Sequence, residues 1–221
     1  MPSRLRPVAP VAADAVLVGD PGRSLLLAQE LMAQPKMSNH ARGLWGYHGQ
    51  TAAGRELTVQ ATGMGGPSAA LVLADLAELG VRRAVRVGSC AAVSPALELG
   101  ALVVIGEAHA WGGPGTREGA AVAPDPELTR ALRDGLGDSA RVGSVASLDT
   151  SLADHVDTGA AELRAEVADM QTAALFAHGT KLGIALAAVL VVSETRAGEV
   201  LDDEAMETAA KRAGNAALAA L

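Results

Sequence analysis

Three short stretches of this chain bring together the residue types that an oxyanion requires. Gly19-Asp20-Pro21-Gly22-Arg23 and Gly63-Met64-Gly65-Gly66-Pro67-Ser68 each join a glycine turn to a helix start, and Arg86-Val87-Gly88-Ser89-Cys90 follows them. Glycine lets the backbone turn tightly and approach a ligand, and free N–H groups at a helix start point at negative charge. Arginine adds a planar fork of paired donors that stays charged at any working pH. Each stretch alone would more often be an ordinary chain reversal. Together, Gly19, Arg23, Arg86 and Ser89 form a candidate anion site.

Strands and helices that alternate along the chain must carry these residues. The apolar spacing predicts a strand over 15–18, a turn at 19–23 and a helix over 24–31. Strands over 42–51 and 55–62 follow, then a helix over 68–79 that ends at Gly80. A buried strand over 82–87 would deliver Arg86 and Ser89 at its carboxyl end, where open α/β sheets place their ligands. Beyond it lie a strand pair at 101–105 and 107–111, a glycine- and proline-rich loop at 112–124 and a helix over 125–136. A strand at 141–147, a polar stretch at 149–160 and a strand near 166–169 come next. The pattern closes with a helix over 171–182, a buried strand over 184–192 and an alanine-rich helix over 202–221. This is a mixed central sheet flanked by helices, expected as a single α/β domain over 1–221.

Composition excludes several classes. At 221 residues and 49% hydrophobic the chain can bury a substantial core, and its net charge of -7 gives no basic footprint for nucleic acid or an anionic membrane. The run at 184–192 is of strand length, too short to span a bilayer. One cysteine, Cys90, rules out an internal disulfide, and a packed small hydrophobe is the expectation for it. The five histidines show no metal-ligand spacing, so no metal is expected. A cytoplasmic location fits these features.

The ordered motifs 19–23, 42–47 (Arg42-Gly43-Leu44-Trp45-Gly46-Tyr47), 63–68, 86–90 and 169–174 (Asp169-Met170-Gln171-Thr172-Ala173-Ala174) resemble the nucleoside phosphorylase family. That family includes bacterial hexameric purine nucleoside phosphorylases and uridine phosphorylases. The resemblance implies a phosphorylase-like fold and attack of inorganic phosphate on the anomeric carbon of a ribonucleoside. Free base and ribose 1-phosphate would be released. By matching positions, Gly19, Arg23, Arg86 and Ser89 would bind phosphate, with Arg42 lent by a neighbouring subunit. Met64, Met170, Gln171 and Ser193 would hold ribose and base, and Glu194 and Arg86 would carry the catalysis. The partners implied are nucleoside and phosphate in a dimer-based homo-oligomer, a hexamer by analogy, with phosphate as co-substrate and no metal or organic cofactor.

The chain departs from the family pattern at several places. Gln171 stands where the usual residue is glutamate, and Glu194 where purine-cleaving members carry aspartate. The arginine partner of that acid has no aligned counterpart, Arg196 being near it in sequence. The first residues, Arg4-Leu5-Arg6-Pro7, lack the histidine that relatives often place there, and 147–152 lacks their aromatic residue. The uracil-reading glutamine-arginine insertion of uridine phosphorylases is missing between 149 and 166. Ser193-Glu194 and the segment 42–47 favour purine over pyrimidine nucleosides. Three other readings compete, a catalytically impaired nucleoside- or phosphate-binding paralogue, a uridine phosphorylase and a nucleosidase that uses water. The three arginines weigh against the nucleosidase, because water needs no such counter-charge.

Overall fold

The structure is a computed structural model, which describes residues 4–111, 121–155 and 160–221. The chain runs through β1 (Asp14–Val18), α1 (Pro21–Leu31), β2 (Ala33–Asn39), β3 (Gly46–Gln50), β4 (Glu56–Ala61), α2 (Gly65–Glu78) and β5 (Arg83–Ala92). It continues through β6 (Leu102–Trp111), β7 (Ala121–Val122), α3 (Pro126–Leu136), β8 (Ala140–Leu148), α4 (Ala160–Leu163) and β9 (Val167–Asp169). The last elements are α5 (Thr172–Leu182), β10 (Ala185–Thr195) and α6 (Asp203–Ala220). The loop expected at 112–124 and the polar stretch at 149–160 lie partly outside the described residues.

One mixed sheet holds the molecule together. β1 lies parallel between β4 and β5, and β3 and β2 extend the sheet antiparallel beyond β4. On the other side β5 pairs with both β10 and β9, while β10 continues through β6 and β8 back to β9. The strands β5, β10, β6, β8 and β9 therefore close into a ring, and β5 is shared by the ring and the open arm.

The alternation of β10 shows why the strand is apolar from Ala185 to Val192. Leu186, Ala188, Leu190 and Val192 pack with Leu73 and Leu76 of α2 and with Leu175 and Phe176 of α5. Ala187, Val189 and Val191 pack on the opposite face with Leu27 of α1, Leu132 of α3 and Ala213 of α6. A strand covered by helices on both faces needs side chains that bury at every position. Each Val or Leu hidden in this way contributes about 1.5–3 kcal/mol. The small residues of α6 let it lie close, and a methyl at Gly214 would come 2.7 Å from Leu27.

Several boundaries differ from the sequence expectation, each for a local reason. α1 begins at Pro21 because the Asp20 carboxylate caps it by accepting from the Arg23 N–H at 2.7 Å, so the expected turn at 19–23 is already helix at Arg23. α2 begins at Gly65 rather than at Ser68, whose hydroxyl instead donates to the Thr62 carbonyl at 2.6 Å. β5 runs on to Ala92, which puts Arg86 inside the strand rather than at its end. The strand pair expected at 101–105 and 107–111 is a single strand, β6, with a bulge between Ile105 and Glu107. β2 was absent from the pattern because its exposed, polar residues lack an alternating face. The strand expected over 42–51 is shortened to β3, preceded by a tight turn at 41–43 where Arg42 has φ 59°.

Candidate active site

The ends of β1, β4, β5, β9 and β10 meet around a cavity of about 430 Å3, a size that suits a small ligand of several rings or a sugar with a base. Its lining includes Gly19, Arg23, Met64, Arg86, Ser89, Met170, Gln171, Ser193 and Glu194. Nine of the ten residues singled out from the sequence thus share one cavity. The tenth, Arg42, is exposed on its left-handed turn and does not line it. Asn39 and Gln60 hold this turn from beneath, because both side-chain amides donate to the Leu44 carbonyl.

Arg86 is tied through every nitrogen of its guanidinium. Only 4% exposed, it donates from Nε to Thr172 Oγ1 at 3.1 Å, from Nη1 to Gln171 Oε1 at 2.7 Å and from Nη2 to Asp169 Oδ2 at 3.0 Å. Asp169 is held in turn by the hydroxyls of Ser147 and Thr172, both at 2.6 Å, and by the Thr172 N–H. A buried guanidinium needs such a counter-charge, and the hydrogen bonds that accompany it offset the cost of desolvation. Gly88 supplies the room, since a methyl there would sit 2.7 Å from Arg86 Cζ and Nη2.

Arg23 is arranged differently. It is half-buried in the first turn of α1, and its guanidinium makes no hydrogen bond or ion pair among the described residues. Burial lowers its pKa, Asp20 acts in the opposite direction, and the positive charge of Arg86 lowers it further. Two cations facing one cavity, one of them without a partner, leave a position of positive potential that an anion would occupy favourably. The glycine turn at Gly63 (φ 74°) and Gly65 (φ 80°) brings the start of α2 to the same cavity. That adds N–H dipoles of the kind that bind oxyanions.

The remaining lining residues fall into two groups. The Glu194 side chain is half-buried and has no partner among the described residues, and Met64 stands 82% exposed at the cavity. Ser193 donates to the Cys90 carbonyl at 3.2 Å, so its hydroxyl is already engaged with the backbone. Burial, and then the charge of Asp169, push the Cys90 thiol well above its ordinary pKa, with Arg86 opposing weakly. The neutral thiol is favoured there, as for a packed buried cysteine. Among the described residues no group of His, Cys, Asp and Glu could hold a metal ion, and no helix is long and apolar enough to cross a membrane.

Sequence reasoning missed Asp169, Thr172, Ser147 and Thr62. A signal existed for the first two. Asp169 ends β9 and accepts from the Thr172 N–H three residues on, an aspartate-to-backbone contact across the turn into α5.

An α/β sheet whose strand ends gather two arginines and two glycine turns around one cavity has the placement that α/β folds give to a small-molecule site. The chain belongs to the phosphorylase superfamily, whose model matches residues 14–221. It is 28% identical over 213 residues, 90% of each chain, to a DeoD-type purine nucleoside phosphorylase of Alkaliphilus metalliredigens. It is 31% identical over 196 residues, 83% of each chain, to the protein of that description from Oceanobacillus iheyensis. In fold it matches a purine nucleoside phosphorylase of Toxoplasma gondii crystallised with immucillin-H, at TM-score 0.84 and 21% identity over 95% of this chain and 91% of that one. A uridine phosphorylase of Vibrio fischeri ES114 matches at TM-score 0.82 and 25% identity over 96% and 92%.

Proposed function

We propose that this protein cleaves the N-glycosidic bond of a ribonucleoside, with a purine base preferred, using inorganic phosphate as the second substrate. A phosphate oxygen would bond to the anomeric carbon as the bond from that carbon to the base nitrogen breaks. The products are free base and ribose 1-phosphate. The observation that carries this reading is the half-buried, unpartnered guanidinium of Arg23 facing Arg86 across a cavity rimmed by glycine turns. Positioned cations and N–H dipoles hold the nucleophile beneath a sugar that gains positive charge, and that placement supplies much of the rate.

Arg23, Arg86, Gly19 and Ser89 take the phosphate, and Met64, Met170 and Ser193 lie beside sugar and base. Glu194, free of other partners, passes a proton to the departing base. Arg42 serves the cavity of a second copy in a dimer-based assembly, a role that suits its exposed position. Neither metal nor organic cofactor takes part, and the setting is the cytoplasm. The purine preference is supported by the names of the curated relatives.

Base release from inosine, guanosine, adenosine and uridine, measured with and without phosphate, tests the proposal. Release that depends on phosphate and is fastest with a purine nucleoside is the expected result. Equal release without phosphate would replace it by a hydrolase. No release, with a melting temperature raised by nucleoside or phosphate, would make the protein a binder.

A further inference from the structure

Gln171 lines the cavity, yet its polar atoms are engaged within the chain. The side chain is 3% exposed. Oε1 accepts from Arg86 Nη1 at 2.7 Å and from Thr62 Oγ1 at 3.0 Å. Nε2 donates to the carbonyls of Gly63 and Gly65. An amide has two lone pairs on oxygen and two N–H bonds. All are spent inside the chain. The Thr62 hydroxyl is shared, with its one proton facing both Gln171 Oε1 and the Val18 carbonyl at 2.9 Å, so it ties Gln171 to the end of β1.

The same contacts explain the residue type. The Gly63 carbonyl takes a donor here, which a carboxylate cannot provide, and Arg86 takes an acceptor. Only an amide offers both from one side chain of this length. The position of a Cβ on Gly19 would be 3.8 Å from Gln171 Oε1 and 3.6 Å from the Gly63 carbonyl, so both glycine turns of the cavity pack against this junction.

We infer that Gln171 is a positioning residue, a latch that fastens the Gly63–Gly65 turn to Arg86, and that it holds no sugar hydroxyl. This rests on the reading of the cavity as a phosphate site and assigns Gln171 to the phosphate half of it. Loosening the latch frees the Arg86 Nη1 donor and the turn together, so anion affinity falls while nucleoside affinity stays. Thr62 provides an independent handle. It does not line the cavity and can influence a ligand only through the residues it holds.

The test is calorimetric titration of inorganic phosphate, and separately of inosine, into wild type, Gln171→Met, Gln171→Glu and Thr62→Val. Losing a hydrogen bond to a charged group weakens binding roughly tenfold or more. The expected result is a phosphate Kd raised roughly tenfold in both Gln171 variants and severalfold in Thr62→Val, with inosine affinity held within about threefold throughout. Weakened inosine binding with unchanged phosphate affinity in the Gln171 variants would overturn the latch and return Gln171 to the sugar. Unchanged phosphate affinity in Thr62→Val would overturn it as well, even if the Gln171 variants did not fold. A wild-type protein that binds no phosphate would overturn both the latch and the phosphorylase reading, an outcome separate from either of those.

Discussion

Arg86 and Asp169 form a salt bridge of 3.0 Å with side chains 5% and 1% exposed, so this cavity-lining cation has its own counter-charge within the chain. Removing one member of such a pair leaves a buried charge uncompensated. Asp169→Asn is expected to cost about 3–5 kcal/mol of stability, read from urea unfolding. A loss under about 0.5 kcal/mol, the size of an ordinary surface substitution, would show that hydrogen bonds rather than charge hold Arg86.

Gly88→Ala tests the space beneath that guanidinium. Its methyl would meet Arg86 and Leu190 at 2.7 Å, within a packed strand. A destabilisation of about 1–3 kcal/mol with weakened phosphate binding is expected, because Arg86 must leave its partners to make room. Melting curves with and without phosphate check both effects, and an unchanged phosphate response would mean that Arg86 need not stay where it is.

The turn at Gly63 separates backbone strain from crowding. Gly63 and Gly54 share nearly the same φ, 74° and 76°, but a methyl at Gly63 would lie 2.6 Å from Ser68 Oγ whereas Gly54 opens on space. Both alanine variants incur the left-handed cost of about 1–2 kcal/mol. Gly63→Ala should lose more than Gly54→Ala in parallel unfolding experiments. Equal losses would show that Ser68 rotates aside freely.

Arg23→Ala should trade binding for stability. The variant removes a half-buried charge that repels Arg86, while the Asp20 cap on the backbone N–H remains. Without ligand the melting temperature should hold or rise, and the increase caused by phosphate should vanish. A retained phosphate response would take Arg23 out of the anion site.

His178 on α5 should give stability a slope in mildly acidic solution. Burial, and then the charge of Lys181, lower its pKa in the folded protein. Below the unfolded value of about 6.5 the unfolded chain binds more protons, so this contribution is complete above that pH and declines as the pH falls through the window beneath it. His178→Gln should flatten that part of a urea-midpoint profile. An unaltered profile would assign the slope to other groups.

The fold was legible where burial writes a period into the chain. β10 and α6 are apolar or alanine-rich because one is covered on both faces and the other lies close against α1. β2 left no trace because an edge strand buries little and its composition is that of a loop. For the site, glycine turns and arginines were readable because their residue types are distinctive on their own, and the cavity gathers Arg23, Arg86 and Ser89. The network beneath was not. Asp169, Thr62 and Ser147 are ordinary residues in sequence; the pairing of β8, β9 and β5 brings Ser147 and Asp169 to Arg86, and Thr62 reaches Gln171 from the end of β4.

The composition of β2 bears on how these molecules tolerate crowding. It ends the open arm of the sheet and would be the natural place for a neighbour's strand to add. Proline at 35 removes a main-chain donor, Lys36 sets a charge in the path, and Gln34 at φ 48° bends the backbone out of line. Such features discourage edge-to-edge stacking and growth into fibrils, so the polarity that hid this strand from a periodicity search also protects the protein at high concentration.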